Sequence, residues 1–335
     1  MSKVAVVILN YNGEKFLRQF LPAVLQYSKE AEIIVADNAS TDKSVSVLQQ
    51  EFPSVRVLTL PENYGFCGGY NRALAQIEAD YYVLLNSDVE VTEHWLSPMI
   101  KLLEENPALA AVQPKIKSYH QKELFEYAGA AGGYLDSLGY PFCRGRLFDV
   151  LEEDKGQYND VKEIFRATGA CILVRADVYH QLHGLDEDFF AHMEEIDLCW
   201  RMKKLGYSVY YQGASTVYHV GGGTLSKLNP KKTFLNFRNG LYMIYKNFSF
   251  PELAVKLPLR LLLDWIAAFR FAVSGQFRHA VAIFQAHYFF IGKLRNLTSK
   301  RRLLSHGKKE NTIGRYNGSI LWDFFLLRKK SIGVD

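Results

Sequence analysis

The strongest constraint on the fold of this chain is the alternation of apolar strands with amphipathic helices over roughly its first hundred residues. Val4–Leu9 and Ile33–Ala36 are continuous apolar runs rich in β-branched side chains, which is typical of strands buried on both faces. Glu14–Gln26 lies between them and carries apolar pairs at helical spacing. This pattern predicts an α/β fold in which helices cover both faces of a parallel sheet.

The alternation continues with predicted helices over Ser44–Phe52 and Tyr70–Ile77 and predicted strands over Arg56–Leu60 and Tyr81–Leu85. Right-handed crossovers bring the carboxyl ends of parallel strands to one edge of a sheet, where α/β proteins bind their ligands. The polar residues that directly follow these strands are therefore the first candidates for a functional site.

The pattern is looser in the second half of the chain. Residues 120–160 hold several glycines among scattered charges, and we expect a variable loop region there. A helix is predicted over Glu194–Leu205 with Gly206 as its C-cap, followed by a strand-rich segment over Ser208–Val220. Regular secondary structure is thus expected again before the C-terminal third of the chain.

Beyond Pro230 the chain is predicted to be almost entirely helical, so we expect an α/β domain over residues 1–229 and a helical region over 230–335. The charge changes as well. Residues 1–250 hold 25 Lys and Arg against 30 Asp and Glu, whereas residues 251–335 hold 15 against 5. A basic segment favours an anionic partner, either membrane phospholipid or nucleic acid.

The basic segment mixes arginine with bulky apolar residues, as in Arg260 and Arg270 among Leu, Trp and Phe. Helices that lie in the membrane interface have this composition, and no apolar run reaches the ~18 residues that a span requires. The clusters Lys300-Arg301-Arg302 and Arg328-Lys329-Lys330 also favour an anionic membrane surface. A helical cap with a solvated basic face is the alternative, and no recognised motif supports nucleic acid.

The cysteines and the N-terminus indicate a reducing compartment. The four cysteines lack CxxC spacing, which argues against a zinc site or a disulfide framework and predicts buried thiols. The first residues hold one lysine and a short apolar run without a small-residue cleavage site. They are expected to form a strand rather than a signal peptide, with the protein in the cytoplasm.

Acidic residues follow two of the predicted strands. Asp37 begins the segment Asp37–Asp42, where a carboxylate can accept hydrogen bonds from a nucleobase or ribose. The alternative is that this segment only caps the next helix. Asn86-Ser87-Asp88 follows Tyr81–Leu85, and one carboxylate with phosphate oxygens and waters can hold Mg²⁺ or Mn²⁺. A simple turn beginning at Asn86 is the alternative there.

Three further features carry possible chemistry. Glycines within Glu62–Ala73, directly before a predicted helix, allow close backbone approach and an anion at the helix N-terminus, or form only a turn. Glu194-Glu195 begins a helix after a stretch that mixes carboxylates with apolar residues, where a carboxylate can act as a general base. His219 precedes a glycine-rich turn and is either a structural residue or a ligand for a metal such as Mn²⁺.

Together these segments resemble the family 2 glycosyltransferases of GT-A fold, especially bacterial rhamnosyltransferase-like members. The resemblance covers about three quarters of the chain, from Val4 to about Asn247. Its motifs, in the family's order, are Val7–Gly13, Asp37–Asp42, Asn63–Ala73, Leu84–Asp88, Gly169–Cys171, Gly184–Arg201 and His219–Thr224. The resemblance implies a Rossmann-like mixed sheet with a C-terminal helical extension.

The resemblance also implies roles for individual residues. The expected nucleotide-sugar-binding residues are Asn10, Asp37, Gly68, Asn71, Arg72, Asn86 and Ser87. Asp88 corresponds to the metal-binding carboxylate of the family's DxD motif, whose first acidic position is Asn86 here, so His219 gains weight as a second metal ligand. Glu195 is the expected catalytic base, and Glu194 is its alternative.

The implied reaction is inverting transfer of a sugar from a nucleotide diphosphate, with dTDP-rhamnose or a UDP-sugar as donor. The implied acceptor is a lipid-linked or growing glycan in cell-surface polysaccharide synthesis, and the expected cofactor is Mn²⁺ or Mg²⁺. With a basic tail, such an enzyme is expected at the inner face of the cell membrane. A catalytically inactive nucleotide- or membrane-binding scaffold and a sugar-nucleotidyltransferase are the alternatives.

Overall fold

A computed structural model describes residues 2–221, 229–303 and 310–333. Its strands are β1 Val4–Asn10, β2 Glu32–Asp37, β3 Arg56–Thr59, β4 Tyr81–Asn86, β5 Val89–Val91, β6 Leu109–Ser118, β7 Gly133–Leu135, β8 Pro141–Cys143, β9 Arg146–Leu147, β10 Val150–Leu151, β11 Val161–Ile164, β12 Cys171–Arg175 and β13 Ser208–His219. Its helices are α1 Glu14–Tyr27, α2 Ser44–Glu51, α3 Gly65–Leu74, α4 Ser97–Glu105, α5 Ala176–Gln181, α6 Glu194–Lys204, α7 Pro230–Asn247, α8 Phe250–Val273 and α9 Phe277–Leu303. A 3₁₀ turn covers Glu187–Phe189 and a π-helical turn covers Trp322–Leu326.

The main sheet has the strand order β11-β13-β6-β12-β4-β1-β2-β3, with β5 paired to β13. Strands β4, β1, β2 and β3 are parallel to one another, as the alternating pattern predicts. Strand β12 runs antiparallel between β4 and β6, while β13 is parallel to β6. The expected mixed α/β sheet is confirmed.

Alternate residues of the central strands enter two separate cores, one on each face of the sheet. In β1, Val4, Val6 and Ile8 pack with α1 and α4, while Ala5 and Val7 pack with α3 and α6. Because side chains alternate across a strand, a strand covered on both faces must be apolar throughout. This explains the unbroken apolar runs of the sequence.

The region 120–160, expected to be a variable loop, contains a second, four-stranded sheet of order β10-β9-β8-β7. The expectation was wrong because these strands are only two or three residues long. Runs of that length are too short to show the period-two pattern by which a strand is recognised. Phe142 and Leu147 of this sheet join the core on the α6 face.

Helices α7, α8 and α9 follow the α/β part, as predicted. The core beside α6 includes Leu241 and Ile244 of α7 and Phe290 of α9, so residues on both sides of the expected boundary at 229 share one core. No helix in the described ranges is both long and apolar enough to cross a membrane. All four cysteines are buried thiols, as expected.

The structure changes the view of the basic C-terminal segment, because much of its charge is used inside the protein. Arg260, expected on an interfacial helix, is buried and donates to the carbonyl of Leu138 at 3.1 Å. Lys300 forms ion pairs with Asp186 and Asp188. Burial of a cation is tolerated only with such partners, so these two side chains bind within the protein and do not form a solvated basic face.

Candidate active site

Asn10 and Asp37 end the adjacent parallel strands β1 and β2 and stand directly opposite each other in register. Both side chains are almost fully buried. The Asn10 amide donates to Asp37 Oδ1 at 3.0 Å and to Ser40 Oγ at 3.1 Å, while Oδ1 of Asn10 is buried without a partner. A buried acceptor without a donor is costly, so this edge is suited to a ligand that supplies one.

Within the Asp37–Asp42 segment, Asp42 bonds to the starts of two helices, in line with the structural alternative. The Asp42 carboxylate accepts from the backbone N–H of Ser44 at 2.9 Å and of Glu14 at 3.0 Å, where α2 and α1 begin. Burial opposes ionisation of Asp42, but these hydrogen bonds outweigh it and lower its pKa. Asp37 and Asp42 thus have different surroundings at the same edge.

The glycine-rich segment does not precede a helix but forms part of one, because α3 begins at Gly65 rather than at Tyr70. Gly69 lies where a Cβ would come within 2.8 Å of the Leu9 side chain, so its absence lets α3 pack on β1. Gly68 likewise lies inside α3, where a Cβ would be 2.9 Å from Arg72 Nη1. Gly69 therefore serves the packing of α3 on β1, while the segment contains the N-terminus of α3, and an anion at that N-terminus stays a prediction.

Asn71 and Arg72 connect α3 to the loop before α6. The Asn71 amide donates to Leu185 O and Glu187 Oε1 and accepts from Leu185 N and Tyr179 Oη. These four bonds use the full capacity of a carboxamide, so Asn71 has none left for a ribose or diphosphate in this arrangement. Arg72 is partly exposed, pairs with Glu187 at 2.9 Å and stacks on Tyr64.

Asn86, Ser87 and Asp88 form the turn from β4 to β5 at the same edge of the sheet as Asn10. The Asn86 N–H donates to Ala170 O at 3.0 Å, and Ser87 Oγ lies near the position that a Cβ on Gly13 would occupy. Asp88 is buried, and its Oδ1 lies 3.2 Å from Nε2 of His219. Strand pairing of His219 with Val89 fixes this approach.

A third residue, Glu126, completes this cluster. Its Oε1 lies 3.4 Å from Nδ1 of His219, on the side of the ring away from Asp88. Burial lowers the pKa of His219, but hydrogen bonding and charge from Asp88 and Glu126 outweigh burial and raise that pKa to about 10. The sequence analysis missed Glu126 because it lies in the supposed loop region, where a carboxylate between Phe125 and Tyr127 was the only signal.

The donors fit the expected Mn²⁺ or Mg²⁺. Two ligands that each lie about 2.1 Å from one ion, at right angles, are about 3 Å apart, and Asp88 Oδ1 and His219 Nε2 have nearly that separation. A carboxylate on the far nitrogen of a ligating histidine is a common second-shell partner, and Glu126 has that position. Among the described residues, no group of three or more His, Cys, Asp or Glu is arranged to hold a metal.

Glu194 and Glu195 begin α6 after a backbone segment in which Phe190, His192 and Met193 all have positive φ. Such conformations are costly for non-glycine residues and are concentrated at functional sites. Burial raises the pKa of both carboxyls. The negative charge of Glu195 raises that of Glu194 further, whereas Arg166, 3.9 Å from Glu195, opposes the rise at Glu195.

The Glu pair lies next to the turn that carries Asp88. The Cβ of Glu195 is 3.8 Å from the position of a Cβ on Gly169, and the next residue, Ala170, accepts the hydrogen bond from Asn86. Only residues up to Gly221 of the motif His219–Thr224 are described, and 222–224 lie outside the described ranges. The fold therefore brings Asn10, Asp37, Asn86, Ser87, Asp88 and His219 to one edge, with Glu194 and Glu195 beside it.

The loop before α6 is held by α7, through residues that the sequence analysis missed. Nδ2 of Asn239 lies 2.7–2.9 Å from three backbone carbonyls, those of Phe189, Ala191 and His192, which share its two N–H groups. Arg238 donates to the carbonyls of Asp188 and Phe189. No local pattern marks an asparagine in a helix as the partner of a loop almost 50 residues away.

The start of α6 is also fixed by a buried ionic network. Asp197 accepts from Arg201 Nε, four residues further along α6, at 2.8 Å and from Lys246 Nζ of α7 at 2.9 Å. Lys246 also pairs with Asp186 at 2.5 Å. Asp197 is therefore a structural residue, and α7 is bonded to both ends of the segment that carries the Glu pair.

Known proteins share this architecture. The N-acetylglucosaminyl-diphospho-decaprenol L-rhamnosyltransferase of Mycobacterium tuberculosis is 26% identical over 236 residues, covering 65% of this chain and 76% of the relative. The crystal structure of GalNAc-T7 with UDP, GalNAc and Mn²⁺ matches with a TM-score of 0.59 at 14% identity, covering 73% of this chain and 48% of GalNAc-T7. The mannosyltransferase PcManGT from Pyrobaculum calidifontis, in complex with GDP-Man and Mn²⁺, matches with a TM-score of 0.53 at 14% identity, covering 90% of this chain and 85% of its own.

The structural matches identify the fold as GT-A, in agreement with the mixed sheet and the C-terminal helices. The family model described as glycosyl transferase family 2 matches residues 5–182, which is more than half of the chain. By its sequence, and consistently with its fold, the chain belongs to glycosyl transferase family 2.

Proposed function

We propose that this protein is an inverting, divalent-metal-dependent glycosyltransferase that acts in cell-surface polysaccharide synthesis. It would transfer a sugar from a nucleotide diphosphate to a hydroxyl of a glycan or lipid-linked acceptor. The observation that carries the proposal is the approach of Asp88 to His219 at the sheet edge where Asn10 and Asp37 end their strands. It supports the proposal because a carboxylate and an imidazole, both metal-ligand types, lie at the same sheet edge as two buried polar side chains.

The donor is proposed to be dTDP-rhamnose or a UDP-sugar. The name of the Mycobacterium tuberculosis relative specifies rhamnosyl transfer to a diphospho-decaprenol-linked sugar, which supports a rhamnosyl donor and a lipid-linked acceptor. Asn10 and Asp37 would bind the nucleoside, since the unpartnered Oδ1 of Asn10 can accept from a base or ribose. With such an acceptor, the protein would work at the cytoplasmic face of the membrane.

Asp88 and His219 would hold the divalent ion, and Glu126 would orient the His219 ring through Nδ1. A bound divalent ion neutralises the negative charge that grows on a leaving diphosphate. A metal ligand must be neutral imidazole, and Glu126 can retain the Nδ1 proton while Nε2 faces the ion. This account uses all three members of the cluster.

Glu195 would act as the general base. It accepts the proton of the acceptor hydroxyl while the hydroxyl oxygen bonds to the anomeric carbon, on the face opposite the diphosphate. The bond between that carbon and the diphosphate breaks, and the configuration inverts. Burial raises the pKa of Glu195 despite Arg166, which suits a base that works near neutral pH. Glu194 is the alternative base.

The test combines donor binding with product analysis. A thermal-shift screen of dTDP-, UDP- and GDP-sugars with and without Mn²⁺ should show metal-dependent stabilisation by the true donor. With acceptor, the product should be the nucleoside diphosphate, whereas pyrophosphate would indicate a nucleotidyltransferase and no product a binding scaffold. The Asp88→Ala variant should lose metal-dependent turnover. Unchanged activity and nucleotide binding in that variant would refute the metal assignment.

A further inference from the structure

Helices α8 and α9 form a hairpin whose outer surface is apolar. They are joined by a short turn at Gly275, and Trp265 of α8 donates to His287 of α9 at 3.2 Å. Each helix exposes large apolar side chains at intervals of three and four residues, which places them on one face of that helix. We call these residues the apolar face: Val255, Leu259, Leu262, Trp265, Ile266, Phe269 and Val273 on α8, and Phe277, Val281, Phe284, Tyr288 and Ile291 on α9.

The acidic residues of α8 and α9 are already paired. Glu252 pairs with Lys256 and Arg315, and Asp264 is buried against His287. Arg270, Arg278 and Arg295 are exposed on the same two helices. They stand three or four residues from members of the face and therefore border it.

Much of the other basic charge of this region is not available at the surface. Arg260 is buried, and Lys293 and Lys300 pair with Asp188 and Asp186 of the loop before α6. Apolar area therefore dominates the exposed surface of the hairpin, and the bordering arginines add to it. Composition alone emphasised the basic charge of this segment, whereas the structure gives the larger share of its exposed surface to apolar side chains.

The chemistry of the apolar face distinguishes a lipid surface from a second copy of the chain. In a two-fold dimer the same face meets itself, which would bring arginines together while the two carboxylates of these helices, Glu252 and Asp264, already have partners. Anionic lipid headgroups supply the missing negative charge. Exposed Trp, Tyr and Phe beside arginine are also typical of helices that lie in the membrane interface.

We propose that the apolar face inserts into the interface of a lipid bilayer and that apolar burial, more than charge, holds the protein there. The proposal rests on the proposed function for its purpose, since a lipid-linked acceptor would lie in the same membrane. The observations that support it, the exposed apolar side chains and the bordering arginines, do not depend on the proposed function. Because Lys293 and Lys300 join α9 to the loop before α6, insertion of the face would also fix the height of the Glu pair above the bilayer.

The experiment is flotation of the full chain with vesicles of phosphatidylethanolamine and phosphatidylglycerol and with vesicles of phosphatidylcholine alone. The test variant is Phe269→Ser/Phe284→Ser, which alters side chains that are 72% and 56% exposed. Each loss of a buried phenyl group should lower the partition coefficient roughly tenfold, hence roughly a hundredfold together. Val161→Ser, at a 47% exposed position on β11, is the matched control and should float like the wild type.

Salt separates the two kinds of attachment. At about 1 M NaCl the Debye length is about 3 Å, so a charge-held protein would dissociate, whereas we expect the wild type to stay largely bound. Release of the wild type at that salt, or equal flotation of the double variant, would overturn the proposal. So would a dimer, seen by light scattering, that the double variant abolishes in a protein that does not float.

The two proposals can fail separately. Flotation by a wild type that neither binds nor turns over any nucleotide sugar would refute the proposed function and leave the apolar face intact. Donor-dependent release of nucleoside diphosphate by a wild type that does not float would refute the membrane proposal and leave the proposed function intact. An unchanged thermal midpoint of Phe269→Ser/Phe284→Ser shows that its loss of flotation is not a loss of folding.

Discussion

Replacement of Asn239 tests whether α7 holds the loop that leads into the Glu pair. The Asn239 side chain is fully buried and donates to three carbonyls within residues 189–192. That loop contains Phe190 and His192 with φ of 63° and 70°. A backbone held in such conformations relaxes when its external hydrogen bonds are removed. Asn239→Ala should therefore disturb the loop without altering Asn10 or Asp37, the residues proposed to bind the nucleotide.

The magnitude follows from the hydrogen bonds. A net intramolecular hydrogen bond contributes about 1 kcal/mol, and a buried carbonyl left without a donor costs about 1–3 kcal/mol. Phe189 O keeps a bond from Arg238, so most of the lost stability comes from the carbonyls of Ala191 and His192, which lose the Asn239 donor. We expect Asn239→Ala to lower the free energy of unfolding by about 2–4 kcal/mol. Asn106→Ala, which removes one exposed bond to Leu102 O, is the control and should cost less than about 1 kcal/mol.

Asn239→Asp provides the sharper comparison. Aspartate can keep the bond that Arg238 Nε donates to Oδ1, 2.9 Å away, but it replaces the donor amide with an oxygen that faces carbonyl oxygens. If the donated bonds stabilise the loop, Asn239→Asp should be at least as unstable as Asn239→Ala. If the space filled by the side chain or its bond to Arg238 is what counts, Asn239→Asp should be close to wild type.

The assays are urea unfolding and steady-state transfer. Both variants should lose kcat for transfer, because the loop positions Glu194 and Glu195, while nucleotide affinity at Asn10 and Asp37 stays within a few-fold of wild type. The reasoning is refuted if Asn239→Ala unfolds within 0.5 kcal/mol of wild type, a threshold of about the error of one hydrogen-bond increment. A stable Asn239→Asp variant with full activity would refute it as well.

Three further predictions concern the metal pair, the ionic network and the main sheet. Glu126→Gln should weaken Mn²⁺ binding about 10–100-fold, measured by titration of Mn²⁺ electron paramagnetic resonance in the presence of UDP or dTDP, and an unchanged affinity would remove Glu126 from the site. Burial opposes ionisation of Asp186, but Lys246 and Lys300 outweigh it and hold its pKa below the usual range, so its stabilisation is full above pH ~4 and is lost as the pH falls. Lys246→Met should cost about 3 kcal/mol at neutral pH and move the acid-unfolding midpoint to higher pH, and coincident acid-unfolding curves would contradict this account. Gly213→Ala would place a Cβ 2.6–2.7 Å from backbone atoms of residues 158–160, so it should lower the thermal midpoint by several degrees, and a change within error would contradict the packing of β13 at that point.

The parts of the fold that the sequence predicts well are those governed by local pattern. The apolar run of β1 and the helical spacing of α1 need no knowledge of the neighbouring elements, because burial on both faces and amphipathicity are properties of each segment alone. Asp88 and Glu195 could be selected on similar grounds, since each belongs to a motif of characteristic residue order. Short strands such as β9 carried no such pattern and were missed.

The candidate site could be predicted only in part, since several partners are distant along the chain. The contact of Glu126 with His219 depends on the neighbouring positions of β6 and β13, and Asn239 meets residues 189–192 only when α7 packs beside α6. The motif selects Gly68 and Asn71 as ligand-binding residues, and only the tertiary structure shows that Gly68 lies inside α3 and that Asn71 also bonds to Leu185.

The sequence by itself determined the alternating α/β pattern, the family motifs and the excess of basic residues after residue 250. Tertiary structure alone decided where those charges lie. Lys293 and Lys300 face carboxylates of the loop before α6, whereas large aromatic residues of α8 and α9 are exposed. The physical reason is that a buried carboxylate requires a nearby cation, and which cation reaches it depends on how the helices pack rather than on composition.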